Sequence, residues 1–418
     1  MRTQRARYPG APIHSKGRSG HPRVVRAIKI LSLCVAVVMV LGAGYLGWVG
    51  WHRSWPIALP VPTGTYPVGR RMYDWTDPSR RDNLRSPSGT ARELSVWLWY
   101  PATLIPGSSR ATYAPGAWQA LHMAAPVGFF EGPLDNMATH SSDNAPIAAG
   151  PFPVVILEPG MGLAALQLTA LAESVASHGY VVAGITPTDS ANVTVIHNRV
   201  VPATTLGNPP DIGRDASTAD HILRAWVGDA QFTRSQLGRL NLAGPLASHL
   251  TLTHANYVGH SFGGAAALQA CHDDRQCAGA VDLDGTQFGD VVHAGSTAPF
   301  MILGGANSCV TGTCTPSGAA DSSARQAAQS LLAASDGPRW CYEIDRAAHF
   351  NFTDVAAWYL APPLRAAFPL GPIDGRRGLL IEASYVTAFL DSTHSNAPQP
   401  LLEDTSREYP EVHRLPGR

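Results

Sequence analysis

Lysine is nearly absent from this sequence of 418 residues: only Lys16 and Lys29 occur. Acidic residues are missing from the whole start of the chain, and Asp74 is the first. No group of His, Cys, Asp and Glu has convincing metal-ligand spacing, and no internal repeat is visible. Each shortage narrows the reading. Formal net charge is zero, which gives no argument for nucleic acid as a partner. Neither a metal nor a cofactor is expected. The length suffices for one large α/β domain with additions.

What charge there is lies unevenly. Arg2, Arg5, Arg7, Lys16, Arg18, Arg23, Arg26 and Lys29 make residues 1–29 a basic head. Residues 30–51 follow as an uncharged apolar run long enough to span a bilayer. The expectation is a single uncleaved transmembrane anchor with the basic head in the cytoplasm and the rest outside it. Trp48, Trp51 and Trp55 would then sit at the outer interface. The competing reading is a cleaved signal peptide, although the run is long for one and holds no clean small-x-small cleavage site beyond Gly42-Ala43-Gly44. Cysteine usage fits an oxidising compartment. Cys271/Cys277 and Cys309/Cys314 are close enough to close short loops, with Cys341 left over, although pairing is not fixed by spacing alone.

Residues 52–90, rich in Pro, Gly, Ser and Arg, read as a linker and domain entry, and residues 91–392 as the main domain. Residues 92–100 are the first long strand expected; residues 102–150 read as an irregular excursion. An alternation then begins. Residues 152–157 (FPVVIL) are continuously apolar, as in a strand buried on both faces of a parallel sheet. Helical spacing covers 163–178 and ends at Gly179. Strands are expected at 180–185, 255–258, 278–283, 300–303 and 340–344, and helices at 214–230, 265–270, 320–335 and 375–391. Residues 186–213 read as a long loop, and residues 393–418 as a polar, loosely held tail. This order implies a mostly parallel central sheet with helices on both faces.

The chemistry centres on Gly259-His260-Ser261-Phe262-Gly263. An apolar strand leads in and an Ala-rich helix leads out, the context that gives G-x-S-x-G its meaning. A serine hydroxyl needs a base within hydrogen-bond reach, and the base needs an orienting carboxylate. Both should lie past the C-terminal ends of strands, later in the chain than the serine. Of the sixteen histidines, His349 alone satisfies this: His293 precedes a strand, and His394 and His413 lie in the tail. Among Asp282, Asp284, Asp290 and Asp345, Asp284 ends its strand and is followed by Gly285. The turn after the next strand, Gly304-Gly305-Ala306-Asn307, offers no carboxylate, which favours Asp284. Asp282 lies deeper, with a possible part in positioning the loop. A tetrahedral intermediate also needs N–H donors. Phe262 at the helix start supplies one and the Gly160-Met161-Gly162 turn the other, through Met161.

With those residues placed, the chain resembles the platelet-activating factor acetylhydrolase family, in its bacterial α/β-hydrolase relatives. The likeness is carried by Thr65-Tyr66-Pro67-Val68-Gly69, Trp99-Tyr100-Pro101-Ala102, Phe152-Pro153-Val154-Val155 leading to Pro159-Gly160, residues 171–182, the serine motif, and His349-Phe350-Asn351-Phe352-Thr353-Asp354. It implies an α/β-hydrolase fold and a calcium-independent serine carboxylic-ester hydrolase. The triad would be Ser261, Asp284 and His349, with Met161 and Phe262 as oxyanion donors. The substrates implied are short-acyl or oxidised phospholipid-type esters. The chain departs from the family at Glu158, where relatives carry a small or neutral residue. The expectation is that its side chain points away from the oxyanion or binds an arginine. Residues 186–213 also differ, so acyl preference is not carried over. Two alternatives stand beside this: a polyester, cutin or general lipase/esterase, and an inactive hydrolase fold serving as a surface binding module.

Overall fold

The computed structural model describes residues 10, 22–87, 89–103, 107–210, 212, 216–395 and 397–415; most of the basic head lies outside them. Two compact units divide at His52. The first holds one helix, α1 (Pro22–His52), with a mean hydropathy of 2.5 over its most apolar stretch, long and apolar enough to cross a membrane. It starts earlier than the apolar run because arginine and lysine propagate a helix well.

The second unit is built on a ten-stranded sheet. Its strands are β1 (Val68–Arg81), β2 (Ala91–Pro101), β3 (Ser141–Asp143), β4 (Phe152–Glu158), β5 (Val181–Thr186), β6 (Leu250–His260), β7 (Gly279–Leu283), β8 (Phe300–Gly305), β9 (Arg339–Ile344) and β10 (Val412–Arg414). Across the sheet the order is β10-β9-β8-β7-β6-β4-β5-β2-β1-β3. The six strands from β9 to β5 are mutually parallel, while β10, β2 and β1 each run antiparallel to an inner neighbour. The sheet is the α/β-hydrolase type expected.

Helices cover both faces. Successive side chains of a strand point to opposite sides, so in β8 Met301 and Leu303 enter one core while Phe300 and Ile302 enter the other. The first core packs under α2 (Thr169–Ser177) and α6 (Gly375–His394); the second packs under α3 (Ala216–Leu242), α4 (Phe262–Asp273) and α5 (Ala319–Ala334). Burial on both faces is why the inner strands read as unbroken apolar runs.

Several expectations shift. The long strand β1 falls inside the residues read as a linker and pairs with β2 over most of its length. Its charged residues hid it: Arg70 is fully buried, donates to Asp143 and to the Thr112 and Tyr113 carbonyls, and stacks 4.6 Å from the Trp97 ring. Residues 186–213 carry a short hairpin, Thr194–Ile196 with Arg199–Val201, and α3 runs on to Leu242. The tail is not loose. Tyr409 and Val412 are buried, Glu411 accepts from Arg377 at 2.8 Å, and β10 pairs with β9. Cys271–Cys277 and Cys309–Cys314 are disulfides, and Cys341 is free and buried.

Candidate active site

The parallel register sets the site. Gly259 in β6 lies beside Glu158 of β4 and Asp282 of β7, so the turns after these strands emerge together. Ser261 sits between β6 and α4 with φ 56° and ψ −124°, a backbone conformation costly for any side-chain-bearing residue. Glycines make room for it: a Cβ on Gly259 would run into the Gly263 carbonyl, and one on Gly263 into the Glu158 and Pro159 carbonyls. The Ser261 N–H donates to the Leu283 carbonyl at 2.9 Å, tying the turn to β7.

His349, just after β9, bridges the other two groups. Its Nε2 is 2.9 Å from Ser261 Oγ, and its Nδ1 is 2.8 Å from Asp284 Oδ2. With the proton on Nδ1, the ring donates to Asp284 and accepts from the serine hydroxyl. The second Asp284 oxygen accepts from the Gly305 N–H at 2.9 Å. Burial alone would raise the Asp284 carboxyl, but His349, the Ser308 hydroxyl and that N–H together hold it below the ordinary range. It therefore stays ionised beside the imidazole.

Asp282, fully buried, accepts from Gly285 N–H and from Gln287 Nε2, at 2.9 and 2.7 Å. Burial pushes its pKa well up, and its place is behind the Asp284 turn. Asp345 pairs with His413 at 2.7 Å, away from Ser261, and His394 meets Asn256 Oδ1.

Met161 and Phe262 line one cavity with Ser261, Asp284 and His349; its volume is about 340 Å³. Neither N–H has a hydrogen-bond acceptor among the described residues. Gly160 brings the Met161 turn close, since a Cβ there would press on the His260 ring and on Ser261 Cβ. The next residue locks the turn: Gly162 N–H donates to the Ser190 carbonyl, and Asn192 N–H to the Gly162 carbonyl. Thus residues 187–192 stand directly behind Met161.

Those residues hang on a buried ion cluster that motif reading did not reveal. Asp189 takes two bonds from Arg85; Arg92 donates to the Thr188 carbonyl, Asp82 and Asp229; Arg80 bridges Asp77 and Asp229. Trp226 Nε1 donates to Ser190 Oγ at 3.1 Å. Other supports were equally silent. His260 Nε2 is 3.0 Å from the His349 carbonyl, and burial first, then the nearby His349, lower its pKa to about 3. A neutral ring then donates Nε2–H to that carbonyl and fixes the histidine loop. Asn351 Oδ1 accepts from Ala348 and Gly371, and Asp354 from Thr169 N–H, Ala170 N–H and Tyr113 Oη. The apolar setting of His349 was the one hint that its loop is packed.

Of the two placements expected for Glu158, the arginine partner is not found among the described residues, while the side chain stays off the lining of the Ser261 cavity. It is buried, and neither carboxyl oxygen has a partner among the described residues, arginine included. Burial, then the charge of Asp229, raises its pKa well above the usual 4.5. A neutral acid carries no charge to oppose an oxyanion. The sign of its effect on stability follows. Below 4.5 the folded and unfolded chains both hold the proton. Above it only the folded chain does, so stability falls with rising pH until the folded carboxyl itself ionises. Glu158→Gln should therefore match the parent near about pH 4 and exceed it near about pH 8 in urea unfolding. A variant less stable than the parent at the higher pH would show an ionised Glu158.

No protein-family model matches the chain. A probable 1-alkyl-2-acetylglycerophosphocholine esterase of Arthroderma benhamiae is 26% identical over 261 residues, 57% of this chain and 61% of that protein. A platelet-activating factor acetylhydrolase of Canis lupus familiaris is 24% identical over 273 residues, 59% of each. The chain thus spans about three fifths of the length of these curated relatives. A solved ferulic acid esterase from Streptomyces cinnamoneus superposes with a TM-score of 0.71 at 26% identity, covering 86% of this chain and 99% of that one. By sequence the chain is similar to platelet-activating factor acetylhydrolase-type esterases, and by fold to an α/β-hydrolase-type esterase.

Proposed function

We propose that the chain is a serine carboxylic-ester hydrolase working through an acyl-enzyme. The observation that carries this reading is His349, in hydrogen-bond contact with Ser261 on one side and Asp284 on the other. In the reaction, His349 Nε2 takes the proton as Ser261 Oγ attacks the ester carbonyl, and Asp284 steadies the imidazolium. The Met161 and Phe262 N–H groups receive the developing oxyanion, aided by the N-terminus of α4. His349 returns the proton to the departing alcohol; water then repeats the sequence on the acyl-enzyme and frees the acid and the serine.

The substrates are short-acyl esters of the phospholipid type, in line with the two curated relatives. In the same reading α1 anchors the enzyme, residues 1–29 are cytoplasmic, and the hydrolase domain faces away from the cytoplasm; the two disulfides support that side. Cleavage of the helix as a signal sequence would give a secreted form. The general-esterase reading has one support, the likeness to the ferulic acid esterase.

The test follows hydrolysis of p-nitrophenyl esters from acetyl to palmitoyl, with methyl ferulate alongside, after mapping a fluorophosphonate adduct by mass spectrometry. The adduct should sit on Ser261, and kcat/KM should peak at the shortest chains. Folded protein that neither labels nor turns over any ester would sink the enzyme reading in favour of a binding module.

A further inference from the structure

Asp284 works from a backbone that needs holding. Its φ is 54°, in the left-handed region that a residue with a side chain seldom adopts. The turn after it is pressed against the nucleophile, since a Cβ on Gly285 would run into the Ser261 carbonyl. Both polar groups of Gly285 are tied locally. Its N–H donates to Asp282 Oδ1 at 2.9 Å, and its carbonyl accepts from Gln287 Nε2 at 2.9 Å.

Gln287 is the hub of this turn. Its side chain is buried, and Nε2 also lies 2.7 Å from Asp282 Oδ2 and 3.1 Å from the Val310 carbonyl. Three acceptors thus share one amide nitrogen, while Oε1 has no partner among the described residues. A half-satisfied buried amide is costly to keep. Here it joins two segments 23 positions apart. The second segment is the loop closed by the Cys309–Cys314 disulfide. That loop is held internally, with the Gly312 N–H donating to the Cys309 carbonyl and Thr311 Oγ1 to the Ser308 carbonyl, at 3.1 and 3.0 Å. Gln329 of α5 fastens it from outside, through a bond of 3.0 Å to the Gly312 carbonyl. Ser308, next to Cys309, gives its hydroxyl to Asp284. The loop therefore reaches the acid by two routes, one through Ser308 and one through Gln287 and the Gly285 turn.

Resting on the esterase reading above, we propose that Gln287 is a positioning residue: anchored on the disulfide-closed loop at Val310, it holds the Asp284 turn where His349 needs it. Gln287 is not part of the lining of the Ser261 cavity, so it acts through Asp284 and not on the ester. Its effect belongs to the rate. A small displacement of Asp284 unseats the imidazole and costs about 10- to 100-fold in kcat, while KM stays within a few-fold. The disulfide contributes by keeping the Val310 carbonyl within reach of the amide.

The experiment is a double-mutant cycle on p-nitrophenyl acetate, with circular dichroism to establish that each variant is folded. Gln287→Met keeps the bulk of the side chain and removes the donor. Alone it should lower kcat about 10- to 100-fold and leave KM within a few-fold. Asp284→Asn alone should cost about 10³- to 10⁴-fold. With the carboxylate gone there is nothing left to position, so adding Gln287→Met to Asp284→Asn should change kcat by less than about twofold. A general loosening of the structure would cost the same factor in both backgrounds. Cys309→Ser with Cys314→Ser, which leaves Gln287 in place, should show the same pattern against Asp284→Asn, and it carries the decision if Gln287→Met does not fold. An unchanged kcat in folded Gln287→Met, or equal factors in the two backgrounds, overturns the inference and leaves the esterase reading standing. A parent that is folded but hydrolyses no ester overturns the esterase reading and this inference with it.

Discussion

Replacing Ser261 by alanine should lower kcat on p-nitrophenyl acetate by about 10⁴- to 10⁶-fold and leave KM within a few-fold. The split matters more than the size. In the proposed reaction Ser261 Oγ bonds to the acyl carbon as the bond to the alcohol is lost, so its removal should be felt in the transition state and barely in the ground state. Its removal leaves the Met161 and Phe262 N–H groups in place, and these should give a residual rate above that of water. His349→Ala should cost about as much, and the two changes together little more than either, because nucleophile and base act as one unit through a single 2.9 Å contact. Steady-state kinetics on the three variants, with circular dichroism to establish that each is folded, decides it. Losses that simply multiply would mean that Ser261 and His349 do not work on the same proton.

Asp229→Ala should lower folding stability by about 3–5 kcal/mol, read as a fall in the urea midpoint with an unchanged slope. Asp229 accepts from Arg92 Nη2 and from Arg80 Nη2, each at 2.7 Å. Arg92 is buried, and it cannot escape by neutralising. Burial opposes its charge, but Asp229, Asp82 and Asp189 hold its pKa above the ordinary arginine value. Without Asp229 the buried guanidinium keeps, among the described residues, Asp82 and the Thr188 carbonyl as hydrogen-bond partners and Asp189 at 4.0 Å. Such a charge costs far more than the pair contributed. Because Thr188 and Asp189 lead into Ser190, which holds Gly162, kcat should fall along with stability. A midpoint close to the parent's would show that water reaches Arg92.

The parts that could be read in advance share a physical cause. Inner strands such as β4 and β8 are apolar on both faces, and each leaves a short unbroken apolar run closed by Pro or Gly, too short for a helix. Ser261, Asp284 and His349 were narrowed by topology, since only strand C-termini can meet. β1 was illegible because its arginines are satisfied by partners elsewhere in the chain, so a buried strand carries the signature of a surface. The same holds for the supports of the site. Arg92 and Asp229 are 137 positions apart, and His260 and the His349 carbonyl 89. No local period encodes such pairings. Glu158 shows a further limit: a carboxyl that is neutral when buried is written with the same letter as an ionised one.

The ends of the sheet have a consequence beyond catalysis. A strand at an open edge presents unpaired amides and carbonyls, a template on which another molecule can add itself. Here the two outermost strands, β3 and β10, are three residues each. The last of them is made from the end of the chain and carries His413 and Arg414 outward, both exposed. It covers β9, the strand from which the His349 loop departs. A neighbouring copy therefore meets a three-residue strand at each border of the sheet, too short to template a long ladder.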